Sequence, residues 1–275
     1  LFVAVMAGKV AYRFGAPALL LFLGVGMLFG LNFISFRSVE MTQFVGMIAL
    51  CIILFTGGMD TSFQEIKPII GPGVMLATVG VVMTAMVLAG FVWLVAPWLD
   101  LEISFALALL LAATMSSTDS ASVFSILRSK KQGLKQHLRP LLELESGSND
   151  PMAYMLTILL IGVVTNSQGG GGLGMSALYF VVQLVVGTLS GYLIGRLAVW
   201  TINKINLANH SLYSVLLLAF IFFAFAFTDL VKGNGYLAVY LAGLVVGNHK
   251  LAQKRFHVAH ADRDVPHAGT FRQQR

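Results

Sequence analysis

The sequence is poor in charged residues, and this shortage excludes an ordinary soluble domain. Only 11% of its 275 residues are Asp, Glu, Lys or Arg, whereas 57% are hydrophobic. A soluble domain carries about 25% charged residues. The mean hydropathy of +0.83 agrees with this contrast. We therefore predict an integral membrane protein whose surroundings are the lipid bilayer.

Cysteine is almost absent, and so is the alternating pattern of a β-barrel. The single cysteine, Cys51, excludes an internal disulfide framework, and its place inside an apolar run indicates a small core residue. Lipid leaves only helices or closed barrels as spanning structures. Because the apolar runs are continuous and do not alternate with period two, the predicted fold is all-α and polytopic.

Acidic residues are fewer than basic ones, so the formal net charge is +6. The basic residues do not form one patch; they lie in short connections between apolar runs. This arrangement is typical of cytoplasmic loops of membrane proteins. It argues against a nucleic-acid partner, and we predict no cofactor.

The apolar runs predict about nine transmembrane segments, of which the first is a short stub. These segments are residues 1–12, 16–30, 41–58, 69–96, 101–127, 140–164, 175–202, 211–230 and 236–246. Lys and Arg concentrate in alternate connections, above all in 128–139, while 97–100 and 165–174 contain none. We therefore predict that the N-terminus faces outward and the C-terminal tail lies in the cytoplasm.

The fifth segment is interrupted by small polar residues. Six of the seven residues in 116–122 are Ser, Thr or Asp. Their side chains compete for backbone hydrogen bonds and disfavour a helix interior. We predict a helix broken at Thr118 and Asp119, with free carbonyls near the midplane as in secondary transporters. The alternative is that the serines only join neighbouring helices.

The sixth segment carries an acidic residue far from its ends. Asp150 lies inside an apolar run, and an Asp at a helix centre costs about 2.5–3.5 kcal/mol, so such residues usually face a cavity, a partner or an ion path. Glu143, Ser146 and Asp150 are spaced to share one helical face, with Asn149 beside them. Glu143 and Glu145 lie nearer the cytoplasmic end, where a solvated acidic mouth is an equal alternative.

Pro151 completes this candidate site. It lacks an amide hydrogen, and its ring displaces the carbonyl of Gly147, which loses its usual partner. A carboxylate, a hydroxyl and a loosened carbonyl suit a hard monovalent cation, while desolvation favours the protonated form of Asp150. Competition between the two ions is a mechanism for exchange. The alternative is a structural Asn–Asp pair neutralised by a cation from another helix.

Two other functions use the same residues. Asp119 and Asp150 lie at similar distances from the connection 128–139, so their carboxylates could meet at one depth. Such a pair permits an intramembrane aspartyl protease, and a passive cation channel is a third possibility. We favour a transporter over an enzyme, because Gly-Ser-Asn-Asp at 147–150 differs from the Gly-x-Gly-Asp motif of intramembrane aspartyl proteases.

The residues also carry a family resemblance. The Thr-Asp pair at 118–119, with the run Glu-Ser-Gly-Ser-Asn-Asp-Pro at 145–151, resembles the signature pair of the monovalent cation:proton antiporters. The stretches 54–60 (Leu-Phe-Thr-Gly-Gly-Met-Asp) and 235–248 agree with this. The resemblance covers residues 1–250 and is to the NhaP-like branch, which contains bacterial potassium/proton and sodium/proton antiporters.

The resemblance implies a set of roles. Asp150 would bind the cation or the proton, and Ser146 and a Thr118 oxygen would be further ligands of the transported K⁺ or Na⁺. Asn149 and Asp119 would hold the crossing region together. The family further implies a bacterial inner (plasma) membrane location and a possible homodimer.

Two departures from the family pattern stand out. Thr56 occupies a position where many relatives have an acidic residue, so a second acidic ligand is in doubt. The family has about thirteen spans built as inverted repeats, more than the nine predicted. We therefore expect a C-terminally truncated antiporter that does not transport alone, with a transmembrane domain at 1–255 and a disordered cytoplasmic tail at 256–275.

Some features have more than one interpretation. Gly187, Gly191 and Gly195 recur every four residues, a pattern that lets helices approach closely. They predict either packing within the chain or a dimer contact. His249 lies on the predicted cytoplasmic side, where a solvated loop histidine is the simpler expectation than a pH sensor.

Overall fold

The computed structural model describes residues 18–32, 38–118, 123, 138–165, 173–205 and 210–249. Within these ranges the chain is helical and contains no strand, which confirms the predicted all-α class. Five described helices are long and apolar enough to cross a membrane. The predicted total of nine is not tested, because segment one and most of the second half of segment five lie outside the described residues.

Eight helices follow one another along the described chain. They are α1 (Ala18–Asn32), α2 (Val39–Asp60), α3 (Phe63–Leu99), α4 (Phe105–Thr114), α5 (Leu138–Thr165), α6 (Leu173–Lys204), α7 (His210–Leu230) and α8 (Gly235–Gly247). Most bounds agree with the predicted segments within about three residues. Helices α3 and α4 are the exceptions. Helix α3 begins at Phe63 instead of residue 69, and α4 begins at Phe105 instead of residue 101 and ends at Thr114, before the polar run of segment five.

Side-chain caps begin several of these helices. The Ser38 hydroxyl accepts a hydrogen bond from the amide of Met41 at 3.3 Å, and Ser104 caps α4 in the same way through Leu107. Such caps satisfy amides that have no partner in the first turn. Helix α3 is irregular: it contains a 3₁₀ turn at Lys67–Ile69, which includes Pro68, and a π-helical turn at Leu76–Gly80.

Helix α8 lies at the centre of the main core, where it packs against α2, α6 and α7. Cys51 is fully buried in this core, as predicted. Close contact between α2 and α8 requires glycine at both surfaces. A Cβ on Gly243 would overlap the carbonyl oxygen of Phe55, and one on Gly247 would overlap that of Met59. The two backbones are therefore in direct contact.

The glycine repeat of α6 packs within the chain. A Cβ on Gly187 would lie 2.9 Å from the carbonyl oxygen of Asn234, and one on Gly191 would lie 2.6 Å from that of Ala238. Gly195 faces Ala242 in the next turn of α8. The structure therefore selects intrachain packing over the dimer contact for this face.

Candidate ion-binding site

Helix α5 carries most of the candidate site and is held inside the protein. Its 28 residues form one helix that continues through Pro151. It contacts α2, α3, α4, α6 and α8. These contacts bury Ser146, Asn149 and Pro151, and Asp150 is partly buried. The polar residues of this span therefore face protein, as the cost of exposing them to lipid requires.

The predicted break in the fifth segment is confirmed on its N-terminal side. Helix α4 ends at Thr114, and the backbone from Ser116 to Thr118 is not helical. The amides of Met115 and Ser116 bond to the carbonyls of Ala112 and Ala113 in a tightened last turn. The Ser116 hydroxyl donates to the carbonyl of Ala113 at 2.8 Å, which is the backbone competition expected of serine.

Asn149 joins α5 to this break. Its side-chain nitrogen donates hydrogen bonds to the hydroxyl of Thr118 and, at 3.0 Å, to the carboxylate of Glu145. Asn149 is only 1% exposed. The structure thus brings Thr118 and Asn149 together, while Asp119 lies outside the described residues and its assigned role stays a prediction.

Two oxygen atoms next to Asp150 are buried and have no hydrogen-bond partner among the described residues. The hydroxyl of Ser146 and the side-chain carbonyl of Asn149 make no hydrogen bond within the part of the chain that the structure describes. Ser146 lies one helical turn before Asp150 and is 0% exposed. Because buried polar groups are normally hydrogen-bonded, such atoms call for an explanation, and a bound ion is one. Their oxygen chemistry suits a hard monovalent cation.

Asn234 is a residue that the sequence interpretation missed. Its side-chain nitrogen donates to the carbonyl of Pro151 at 3.1 Å, and its side-chain oxygen caps α8 by accepting from the amide of Leu237 at 2.9 Å. Its own amide donates to the carbonyl of Gln183 on α6. One buried residue thereby ties α5 and α8 together through its side chain and contacts α6 through its main chain. The available signal was an Asn directly before the helix that starts at Gly235.

Tyr240 is the second missed residue. Its ring covers Gly147, where an added Cβ would lie 2.5 Å from the ring carbon Cε2. Its hydroxyl is buried. Glycine at 147 is therefore required for α8 to approach α5 beside Asp150. The loosened Gly147 carbonyl stays a prediction.

Glu143 and Glu145 differ from the solvated acidic mouth that the sequence allowed. Glu143 is only 9% exposed, and the Nε of Arg139 donates to its carboxylate at 3.0 Å. Glu145 is partly buried and accepts from Asn149. Packing against the other helices covers both residues, which a single helix pattern does not reveal.

Thr56 does not replace the acidic residue that many relatives are expected to have at this position. This side chain is exposed, and its hydroxyl donates to the carbonyl of Ile52 at 2.9 Å. A threonine that bonds its own helix in this way has its donor occupied. The candidate site therefore depends on the residues of α5 and of the break after α4.

The two further motif stretches pack against each other. The α8 stretch ends at Asn248, whose side-chain nitrogen donates to the carbonyl of Thr61 at 2.8 Å. Its side-chain oxygen accepts from the amide of Phe63 at 2.6 Å. Asn248 thereby holds the turn between α2 and α3 against the end of α8. Residues far apart in sequence thus hold α2 and α8 together, and both of these helices contact α5.

Comparisons with known proteins identify the family. The model of the transmembrane sodium/hydrogen exchanger family matches residues 1–261. The K(+)/H(+) antiporter NhaP of Alkalimonas amylolytica is 41% identical over 255 residues, which is 91% of this chain and 43% of that protein. The K(+)/H(+) antiporter NhaP2 of Shewanella sp. strain ANA-3 is 35% identical over 249 residues, 90% of this chain and 42% of that protein.

A solved structure shows the same fold. The sodium proton antiporter MjNhaP1 from Methanocaldococcus jannaschii aligns with a TM-score of 0.76 and 21% identity, covering 95% of this chain and 64% of the solved chain. The present chain spans less than half the length of the two antiporters named above. Since the family model matches nearly the whole sequence, the chain belongs to the sodium/hydrogen exchanger family.

Proposed function

We propose that this chain forms the ion-binding part of a secondary active antiporter that exchanges K⁺ or Na⁺ for H⁺. The observation that carries the proposal is that the hydroxyl of Ser146, one turn before Asp150, is buried and has no hydrogen-bond partner in the described part of the chain. The two potassium/proton antiporters and the sodium/proton antiporter of known structure that are described above support this class of activity.

Each site residue has a distinct role in the proposal. Asp150 supplies the negative charge, and Ser146 and Thr118 supply neutral oxygen ligands. Asn149 fixes Thr118 relative to α5 through its hydrogen bond, and Asp119 stabilises the same crossing region. Pro151 interrupts the helical hydrogen bonding, and its own carbonyl is held by Asn234.

Exchange follows from competition for one carboxylate. A proton on Asp150 removes the charge that attracts the cation, and a bound cation stabilises the ionised form. A site that accepts one of two ions, and faces each side of the membrane in turn, couples their movements in opposite directions. The relatives favour this reading over aspartyl proteolysis or passive conduction.

The proposal includes the membrane context. The bacterial relatives support an inner-membrane location. The distribution of Lys and Arg supports an N-terminus outside and a tail in the cytoplasm. A homodimer is also proposed. Since α8 covers Gly187, Gly191 and Gly195, a dimer contact must use another surface.

Cation-driven proton release tests the central claim. The 275-residue chain is placed in weakly buffered detergent solution with a pH indicator, and KCl, NaCl or choline chloride is added. We expect K⁺ or Na⁺ to release protons and choline to release none. Asp150→Asn should abolish the release. Asp100→Asn, which removes an exposed carboxylate from the α3–α4 connection, should retain it.

The pH dependence of the cation affinity tests the proposed competition directly. For competition between one proton and one cation, the apparent Kd rises up to tenfold for each unit of pH decrease while Asp150 is mostly protonated. Calorimetry over a pH series measures this. A cation affinity that is indifferent to pH in the wild-type chain would contradict the proposed competition.

Transport itself is tested in a completed protein. Residues 1–249 replace the matching part of the Alkalimonas amylolytica antiporter, and everted vesicles report proton movement through a dye. We expect cation-driven alkalinisation of the vesicle interior that Asp150→Asn removes. Cation conductance without proton coupling would instead favour a passive channel.

A further inference from the structure

A cavity lies at the adjoining ends of α6 and α8 and contains no residue of the candidate ion-binding site. Its volume is about 450 Å³, and it is lined by Arg196, Val199, Trp200, Asn203, Lys204 and His249. Three of these six side chains are basic, and none is acidic. The lining therefore favours an anion and disfavours a cation, unlike the candidate site on α5.

The basic groups of this cavity have no acidic partner among the described residues. Within the described ranges, neither Arg196 nor Lys204 takes part in an ion pair; the pair seen there joins Arg139 to Glu143. The Nζ of Lys204 lies 4.8 Å from the ring centroid of Trp200, a cation–π contact that places the ammonium over the cavity lining. The positive charges are available to a ligand.

His249 adds a polar group that is already desolvated. Its Nδ1 atom is buried and has no hydrogen-bond partner in the part of the chain that the structure describes. The side chain as a whole is partly buried, whereas the sequence predicted a solvated loop residue. A ligand in the cavity can supply the missing partner for this nitrogen.

The length of α6 and the residues at its end support a position of the cavity at the surface of the membrane. Its 32 residues extend about 48 Å, whereas the hydrocarbon core of a bilayer is about 30 Å thick. Arg196, Trp200 and Lys204 are spaced by four residues, so they follow one another along one face of its last turns. Tryptophan is enriched where membrane and water meet.

The flank of the cavity is apolar and exposed. Leu193 and Leu197 are 63% and 45% exposed on the preceding turns of α6, and Trp200 is 57% exposed. In a membrane these side chains contact acyl chains. A ligand held by the basic groups would therefore have hydrocarbon beside it on one side and the headgroup region on the other.

We propose that this cavity binds the phosphodiester headgroup of an anionic phospholipid, with the acyl chains lying along Leu193 and Leu197. The guanidinium of Arg196 offers paired donors that match phosphate oxygens, and Lys204 adds a second positive charge. Asn203 and His249 provide further polar contacts. The apolar flank selects a lipid over free phosphate.

Native mass spectrometry tests the proposal with the 275-residue chain. The protein is mixed with equal amounts of phosphatidylglycerol and phosphatidylcholine, and the retained lipid is identified. We expect preferential retention of phosphatidylglycerol. Arg196→Gln combined with Lys204→Gln should lower that preference by about tenfold or more, since each basic residue near a membrane surface contributes substantially to anionic lipid binding.

Matched variants separate the site from net charge and from misfolding. Lys67→Gln combined with Lys232→Gln removes two exposed charges elsewhere and should leave the preference unchanged. Arg196→Lys combined with Lys204→Arg keeps both charges and should retain it. Equal retention of the two lipids by the wild type would overturn the proposal, as would an equal loss in the Lys67 and Lys232 pair.

Free inorganic phosphate is the other ligand that could bind the same basic groups. A large molar excess of inorganic phosphate should not displace phosphatidylglycerol, because phosphate lacks the acyl contacts. Complete displacement would show a site for soluble anions and overturn the lipid assignment. None of these measurements depends on ion binding at Asp150, so their outcome is independent of the proposed antiport.

Discussion

The side-chain nitrogen of Asn234 donates a hydrogen bond to the carbonyl oxygen of Pro151 across 3.1 Å. This contact joins the start of α8 to the residue directly after Asp150, although the two residues are 83 positions apart in sequence. Asn234 is only 2% exposed, so water does not compete for the bond. The position of the candidate carboxylate is thus coupled to the central helix of the core.

Replacing Asn234 by alanine should destabilise the protein by about 2 kcal/mol, because the change removes a helix cap and a buried hydrogen bond. Thermal unfolding in detergent measures the loss. Asn234→Asp keeps an oxygen that caps α8 but, when ionised, cannot donate to Pro151, so above the pKa of the new carboxyl it should fall between wild type and alanine. Equal stability of all three proteins would show that this contact contributes nothing.

Ser146→Ala should weaken cation binding about tenfold and leave stability unchanged. The Ser146 hydroxyl has no hydrogen-bond partner among the described residues, so its removal costs the fold no bond. Removing a buried polar group that has no partner is close to neutral for stability. Calorimetric titration with K⁺ or Na⁺ measures the first effect, and thermal unfolding measures the second. Unaltered cation affinity would exclude Ser146 as a ligand.

The Asn149–Thr118 contact should appear as an energetic coupling. Asn149→Ala and Thr118→Ala are compared singly and together in a double-mutant cycle of unfolding free energies. Residues that share a hydrogen bond show interaction energies of about 0.5–3 kcal/mol, and we expect a value in that range. Thr56→Ala is a suitable control partner, because its hydroxyl bonds within α2. Additive effects for Asn149 and Thr118 would contradict the contact.

Gly243→Ala should be strongly destabilising, because its added methyl group would overlap the carbonyl oxygen of Phe55. Overpacking of this kind costs about 1–3 kcal/mol, and backbone atoms on the opposite side cannot move aside easily. Gly90→Ala on α3 is the matched control, since nothing lies within 4 Å of the added atom. Its unfolding temperature should equal or exceed that of the wild type.

The helices and the candidate carboxylate were predictable from the sequence because both are local or compositional signals. Apolar runs fix which residues enter lipid, and this placed α5 to α8 within about three residues of their observed bounds. The break after α4 followed from consecutive Ser, Thr and Asp residues. An ionisable residue inside such a run is conspicuous for energetic reasons alone.

Residues that act through distant partners were not predictable in the same way. The burial of Glu143 depends on helices around α5, and the partner of the α6 glycines is α8. Asn234 and Tyr240 reach the site only because α8 crosses both α2 and α5. A single sequence records no contact between separated helices, so these roles had no local signal strong enough to identify them.

The amino-acid sequence by itself determined that this chain is a helical membrane protein with an acidic residue inside its sixth apolar run, since hydrophobicity and charge act residue by residue. Which oxygen atoms surround that residue, and which of them have no hydrogen-bond partner among the described residues, became known only from the packed helices. Hydrogen bonding and backbone contact depend on distances of a few ångströms between separate helices, and these distances are set when the helices pack.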